Sequence, residues 1–337
     1  MKALLLATPP VAPLDRFARG AMLRLGEVPI LEIQVDLLRQ HGVSDVLLGL
    51  GQGGEAIADH FGDGRRFGVR MASLWSRRAA FTIADLRTAR SFLDDSFLLL
   101  SANALVATDF DSLLAEHHRA CAHATIVRPG TGPDPADINL MLIEPAALTR
   151  LPAATPLADI RFLASTLGDH GAIVHRACLP LTGHPVMTPA QYLDMHWQCL
   201  AQAWPGGAPH GQVHPSGLRC GINVRIDPRR CRIQGPVQID GGACIEDGAS
   251  LLGPCHIGAG AVIEAGACIE RSVVLAHARV GGHAHLRNAI TDGRHCLLDD
   301  GTRIELEHAD LGWLIGLARQ SGTSRGASEQ RFLDRLS

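Results

Sequence analysis

From Ile233 onward the sequence places a large aliphatic side chain at every sixth position: Ile233, Ile239, Ile245, Leu251, Ile257, Ile263, Ile269 and Leu275. Two residues before each of these stands Cys231, Val237, Ala243, Ala249, Cys255, Ala261, Ala267 or Val273, nearly all of them small. A single amphipathic helix or strand, with side-chain periods of 3.6 and 2, does not generate such a series. A left-handed parallel β-helix does, since each six-residue unit forms one wall of a triangular coil. The aliphatic fills the prism, the small residue lets the walls close, and Gly235, Asp240, Gly248 and Gly258 serve the turns. The phase slips after Leu275, Val280 and Leu286 resume it, and Leu298 and Ile304 are expected to form the last coil. Leu311–Leu317 (LGWLIGL) is expected to be a short apolar helix capping the open end, with a polar tail behind it. Outward Cys244, Cys268, Val262 and Val274 leave apolar patches, from which a homo-oligomer joined through the β-helix is predicted.

The first 200 residues follow another rule. Apolar runs at Ala3–Ala7, Asp45–Leu50, Arg70–Leu74, Phe97–Leu100 and Ala124–Val127 alternate with helical patterns at Ile30–His41, Glu55–Phe61, Ile83–Ser91 and a helix capped by Asp109. Continuous apolar strands separated by helices predict a mostly parallel sheet covered on both faces. The fold class is therefore α/β followed by a hexapeptide β-helix, and Ala203–Gly211 (AWPGGAPHG) has the composition of a linker between them.

Composition excludes several functions. A formal net charge of -3 and 4% aromatic residues provide neither a basic footprint nor a stacking platform, so nucleic acid is not an expected partner. None of the nine cysteines forms a CxxC pair, and several occupy small apolar positions of the repeat, which predicts reduced packing thiols in a cytoplasmic protein. The apolar stretch after Lys2 is too short for a signal peptide and is expected to be a buried strand. No run approaches the roughly 18 apolar residues of a membrane span.

Particular segments carry a family likeness. Met1-Lys-Ala-Leu-Leu-Leu-Ala7, Val28-Pro-Ile-Leu-Glu32, His41-Gly-Val-Ser-Asp45, Ile57 through Phe61-Gly-Asp-Gly-Arg-Arg-Phe-Gly-Val69 and Thr188-Pro-Ala-Gln-Tyr-Leu193, followed by the hexapeptide tail, resemble the sugar-1-phosphate nucleotidyltransferases, which include the mannose-1-phosphate guanylyltransferases. The resemblance implies a Rossmann-like nucleotide-diphospho-sugar transferase domain over 1–202, a linker over 203–212, the β-helix over 213–308, and a capping helix with polar tail over 309–337.

That family transfers a nucleotidyl group from a nucleoside triphosphate to a sugar phosphate and releases pyrophosphate. The protein's part is to cradle phosphates, neutralise charge and hold magnesium with carboxylates. Against that pattern the sequence departs at each part. The phosphate loop has become Thr8-Pro-Pro-Val-Ala-Pro13, without glycine or arginine and with three prolines lacking N–H groups. The phosphate-binding lysine falls at Gly20 in Arg19-Gly20-Ala21, and the two magnesium aspartates fall at Asn103 and Pro185. The sugar-binding insertion is replaced by Arg128–Asp137, and the segment over the base by Ala79–Ala84. Thr8, Gly20, Asn103 and Pro185 are thus the vestigial pocket positions, with no catalytic residue and no metal ligand among them.

The expected function is a nucleotidyltransferase-family pseudoenzyme, a scaffold or regulatory subunit in sugar-nucleotide or polysaccharide metabolism. Its expected partners are further copies of itself, an active nucleotidyltransferase or another pathway protein, and a nucleotide sugar; no cofactor is expected. The alternative is an active enzyme forming an NDP-sugar and pyrophosphate, for which Mg2+ would be required. A second alternative is a hexapeptide acyltransferase, whose histidine base would come from His256, His277, His283, His285 or His295.

Overall fold

The computed structural model describes residues 1–7, 14–18, 20–78, 81–128, 140–157, 159–201, 212–213, 217–306, 311–312 and 314–318. The chain divides into two compact units. The first is Met1–Val11, Ala18–Leu23 and Val28–Val186, and the second is Ala12–Phe17, Arg24–Glu27 and Met187–Ser337. The helix Pro189–Leu200, which the sequence reading put in the first domain, groups with the second unit.

The first unit is built on a seven-stranded sheet. Its spatial order is Val174–Cys178, Ala124–Arg128, Leu140–Ile143, Phe97–Ser101, Lys2–Leu6, Asp45–Leu50 and Arg70–Trp75. Neighbours are parallel except Leu140–Ile143, which runs antiparallel to both strands beside it. The apolar runs are continuous because both sheet faces are covered. Ala3, Leu5, Leu48 and Leu98 join one core, while Leu4, Leu6, Leu47 and Leu99 join the other. Alternation at period two thus distributes one strand between two hydrophobic layers. As expected, Asp109 caps the helix Phe110–Arg119, its carboxylate accepting from the Asp111 and Ser112 amides at 3.1 Å. A separate antiparallel ribbon, Ala104–Thr108 with Leu181–Pro185, was not foreseen.

The second unit carries the β-helix. Its three walls are parallel stacks, beginning Leu218–Cys220 under Val237–Ile239, Arg232–Gln234 under Ser250–Leu252, and Cys244–Ile245 under Val262–Ile263. Ile239, Leu251, Ile257, Ile263 and Ile269 are fully buried along the axis, with Ala243, Ala249, Cys255, Ala261 and Ala267 between them. All nine cysteines are free thiols. Burial pushes the Cys255 thiol up to about 11, so it packs as a protonated apolar group.

Three expectations about the solenoid are corrected. The register changes before Leu275. Ile239 pairs with Ile257, eighteen residues on, but Ile257 pairs with Val274, seventeen on. The turn Leu252-Gly-Pro-Cys255 has one residue more than its successor, so Val274 is the fully buried core residue and Leu275 lies half-buried outside the series. Val274 is therefore no part of an outward apolar patch. The last coil is also different, because His295–Leu298 and Arg303–Glu305 turn back antiparallel on Ala289–Thr291. Finally, the expected capping helix is a strand at its end. Ile315–Leu317 pairs antiparallel with Ala278–Val280. Gly312 and Gly316 disfavour helix, and the uncovered edge of the solenoid offers backbone groups to a strand.

Candidate functional site

The strands of the first unit deliver their C-terminal ends to one place. There Ala102 N donates to Leu6 O at 2.8 Å, and Ala7 N donates to Gly49 O at 2.8 Å. Asn103 follows as the turn between Phe97–Ser101 and Ala104–Thr108, only 2% exposed. Its amide is engaged at both ends. Nδ2 donates to Val186 O at 3.1 Å, and the Ser101 hydroxyl donates to Oδ1. Val186 N in turn donates to Asn103 O at 3.0 Å, closing a ring between this turn and the end of Leu181–Pro185.

Three of the four pocket positions come together here. Pro185 lies opposite Ala104 in the antiparallel ribbon, one residue from the bonds that hold Asn103. Gly20 is buried, and a Cβ added to it would stand 3.7 Å from Asn103 Cβ, an ordinary contact. A side chain at that position would therefore begin beside Asn103. Thr8 lies outside the described residues, as do Pro9–Pro13 and the stretch 129–139, where the resemblance implies a sugar-binding insertion. The segment Phe81–Ala84 starts a helix, with Phe81 buried and Thr82 N donating to Asp85 Oδ2 at 2.8 Å in a capping box.

These residues do not fit magnesium. Mg2+ takes hard, preferably anionic oxygens in an octahedral shell. The two positions at which the resemblance implies carboxylates hold a neutral amide, already bonded to protein, and a proline. Among the described residues no group of three or more His, Cys, Asp or Glu side chains could hold a metal ion. The Asn103 site is thus a structural tie between two chain segments. Replacing Asn103 with Asp is expected to set a carboxylate oxygen against the Val186 carbonyl, lowering stability by about 1–3 kcal/mol without producing magnesium-dependent activity. Thermal melts with and without Mg2+ check this, and metal-dependent stabilisation of the variant would refute it.

The histidines proposed for acyl transfer are otherwise occupied. His256 is buried beneath His196 of the helix Pro189–Leu200, their rings stacked at 5.2 Å. His285 faces Glu270, and His295 lies between Asp292 and Glu305. His277 and His283 hold left-handed conformations at turns and cover Gly260 and Gly266 of the preceding coil.

Comparison with known proteins agrees with both halves. The family described as GlmU-like, C-terminal hexapeptide matches residues 220–310. UTP–glucose-1-phosphate uridylyltransferase of Synechocystis is 26% identical, over 95% of this chain and 95% of that protein. The crystal structure of a putative glucose-1-phosphate thymidylyltransferase from Bacillus anthracis aligns with a TM-score of 0.50 at 15% identity, covering 58% of this chain and 94% of that one. Over nearly its whole length the chain is thus similar to a sugar-1-phosphate nucleotidyltransferase.

Two polar residues of the first unit matter that the sequence reading passed over. Gln34, fully buried on the helix Ile30–Gln40, accepts from Val106 N at 2.7 Å and donates to Val106 O at 3.2 Å. Its signal was a glutamine on the helix face that also carries Ile30, Leu31 and Leu38. Ser101 had no such signal, since it ends an apolar strand as any turn serine might. No helix among the described residues is long and apolar enough to cross a membrane.

Proposed function

We propose that this nucleotidyltransferase homologue is catalytically silent and serves as a scaffold or regulatory subunit in sugar-nucleotide metabolism. The observation that carries this reading is the Asn103 tie. Where the resemblance places a metal-binding carboxylate stands an amide whose two ends bind Ser101 and Val186. Phosphoryl-type transfer depends almost wholly on positioned charge, and removing metal and phosphate contacts together removes what lowers the barrier. No cofactor belongs to this reading. Nine free thiols support a cytoplasmic setting.

We further propose that it acts as a homo-oligomer through the β-helix and meets an active nucleotidyltransferase or another pathway protein. Support comes from half-buried Cys244 and Val262, which neighbour each other on one outer wall. Cys268 stands on another wall between Ser250 and His285.

A second reading, an active uridylyltransferase, is favoured by one observation: the likeness to the Synechocystis enzyme spans nearly the whole of both chains. One assay separates the two. The purified chain is incubated with UTP and glucose 1-phosphate, then with other nucleoside triphosphates and sugar phosphates, in Mg2+, and pyrophosphate is measured. Silence across the panel is expected, and turnover that depends on Mg2+ would establish the enzyme instead. Light scattering on the same sample is expected to give a closed oligomer; a monomer at micromolar concentration would remove the oligomer from the proposal.

A further inference from the structure

One wall of the β-helix is covered. By strand register its outward row runs Arg219, Gln238, His256, Val273 and Ile290. From Gln238 onward every one of these side chains is buried, although they point away from the solenoid axis. Over them lies the helix Pro189–Leu200, begun by Thr188, which accepts from Gln191 N at 3.2 Å while Gln191 Oε1 accepts from Thr188 N at 3.0 Å. The helix presents His196, whose ring stacks on that of His256 at 5.2 Å and 27°.

The surroundings of this pair are unusual for two histidines. His256 Nε2 meets Asp240 Oδ2 at 2.6 Å, and Gln238 Nε2 donates to Asp240 Oδ1 at 3.0 Å. The Tyr192 ring stands edge-on to His196 at 4.7 Å and donates its hydroxyl to the Arg24 carbonyl, while Trp197 flanks the other side at 6.3 Å. His196 Nε2 and His256 Nδ1 are both buried and have no hydrogen-bond partner among the described residues. An unprotonated imidazole nitrogen tolerates such a place. A proton added to His196 Nε2 becomes a buried donor with no acceptor within hydrogen-bond distance among the described residues.

We infer that the His196–His256 stack is an acid-released latch, in which protonation of His196 frees the helix Pro189–Leu200 from the wall of the β-helix. The groups facing His196 settle the direction. Among the described residues Asp240 is the carboxylate acting on His196, and it is committed to His256 and Gln238. Tyr192 brings no charge and gives its hydroxyl to the Arg24 carbonyl, and Arg219 stands in the outward row opposite Gln238. Burial holds the His196 imidazole well below the usual histidine range, His256 adds to that, and Asp240 and the Arg24 backbone oppose it. Burial also works against the Asp240 carboxylate, but its bond to His256 keeps it below the usual carboxylate value.

The docked helix therefore holds fewer protons at His196 than the released helix does. Docking is insensitive to pH above the ordinary histidine value of 6.5. Below it, docking weakens by about tenfold per pH unit for the one proton taken up at His196. Asp240 joins only below the ordinary carboxylate value of 3.8.

Hydrogen–deuterium exchange on the full chain tests this, with rates corrected for the intrinsic pH dependence of amide exchange. Protection of the segment 189–200 is expected to fall about tenfold per unit between pH 6 and 4.5, while the buried strands around Ile257 and Ile263 hold theirs. His196→Phe keeps a stacking ring without a titrating nitrogen and is expected to flatten the profile. Protection that is flat in the natural chain, or a slope that survives in His196→Phe, overturns the latch. Should that variant not fold, an NMR titration of the His196 ring decides. Proton uptake coincident with loss of protection supports the latch, and uptake with the helix still protected overturns it.

Discussion

Replacing Ile257 with Asp is expected to unfold the β-helix. Ile257 is fully buried, stacked between Ile239 of the coil before and Val274 of the coil after. The change forfeits about 1.5–3 kcal/mol of apolar burial and places a carboxylate in the prism. The described residues that line this core around it are apolar, so the carboxylate must either be protonated or expel itself. The combined loss is expected to exceed about 4 kcal/mol, at the severe end for a single substitution. Because stacked coils depend on their neighbours, the damage should spread along the solenoid. Circular dichroism melts are expected to lose the β-helix transition. A variant that melts like the natural chain would mean that Ile257 does not face the interior.

Gln34→Leu is the second large effect. Leucine nearly matches the volume of glutamine and suits a buried helix face, so packing alone predicts little change. The hydrogen bonds predict otherwise. Gln34 satisfies both the N–H and the C=O of Val106, whose strand Ala104–Thr108 has, among the described residues, only Leu181–Pro185 as a strand partner. Leucine leaves two buried backbone groups unmatched, at roughly 1–3 kcal/mol each. Chemical denaturation is expected to show a loss of about 2–6 kcal/mol. A change within about 0.5 kcal/mol, the usual range for a surface substitution, would show that Gln34 does not hold the strand. Gln34→Glu should also be destabilised, because a carboxylate can accept from Val106 N yet repels Val106 O.

The parts of the fold that were legible in the sequence were those set by repetition. Core aliphatics from Ile239 to Ile269 follow from a period of six, and the central strands follow from apolar runs that divide between two layers. The one-residue shortening before Val274 was hidden because Val273, Val274 and Leu275 are all apolar, so either register looks acceptable until the pairing with Ile257 decides it. The end of the solenoid misled for a related reason. LGWLIGL has a helix-like apolar face, but the backbone edge of Ala278–Val280 selects a strand for Ile315–Leu317. At the pocket, Gly20, Asn103 and Pro185 were located through resemblance, and their neighbourhood is now seen. What could not be read was how Asn103 is held, since Ser101 and Val186 meet it through folding rather than through spacing. The His196–His256 stack was equally invisible, for sixty residues separate partners that share one wall.

The antiparallel close of the solenoid bears on growth. A parallel β-helix that ended on a complete coil would offer three unpaired strand edges, each a template for another molecule, and such stacking has no natural stopping point. Here one wall ends in the returning strands His295–Leu298 and Arg303–Glu305, and a second is overlaid by Ile315–Leu317 running the opposite way. Arg279 fixes that overlay, donating to Gly312 O at 2.7 Å and to Glu264 at 3.0 Å. Among the described residues the third wall ends at His285–Arg287, without such a returning strand. End-to-end stacking in the parallel sense is thereby discouraged on two of the three walls, which limits fibre growth through this terminus.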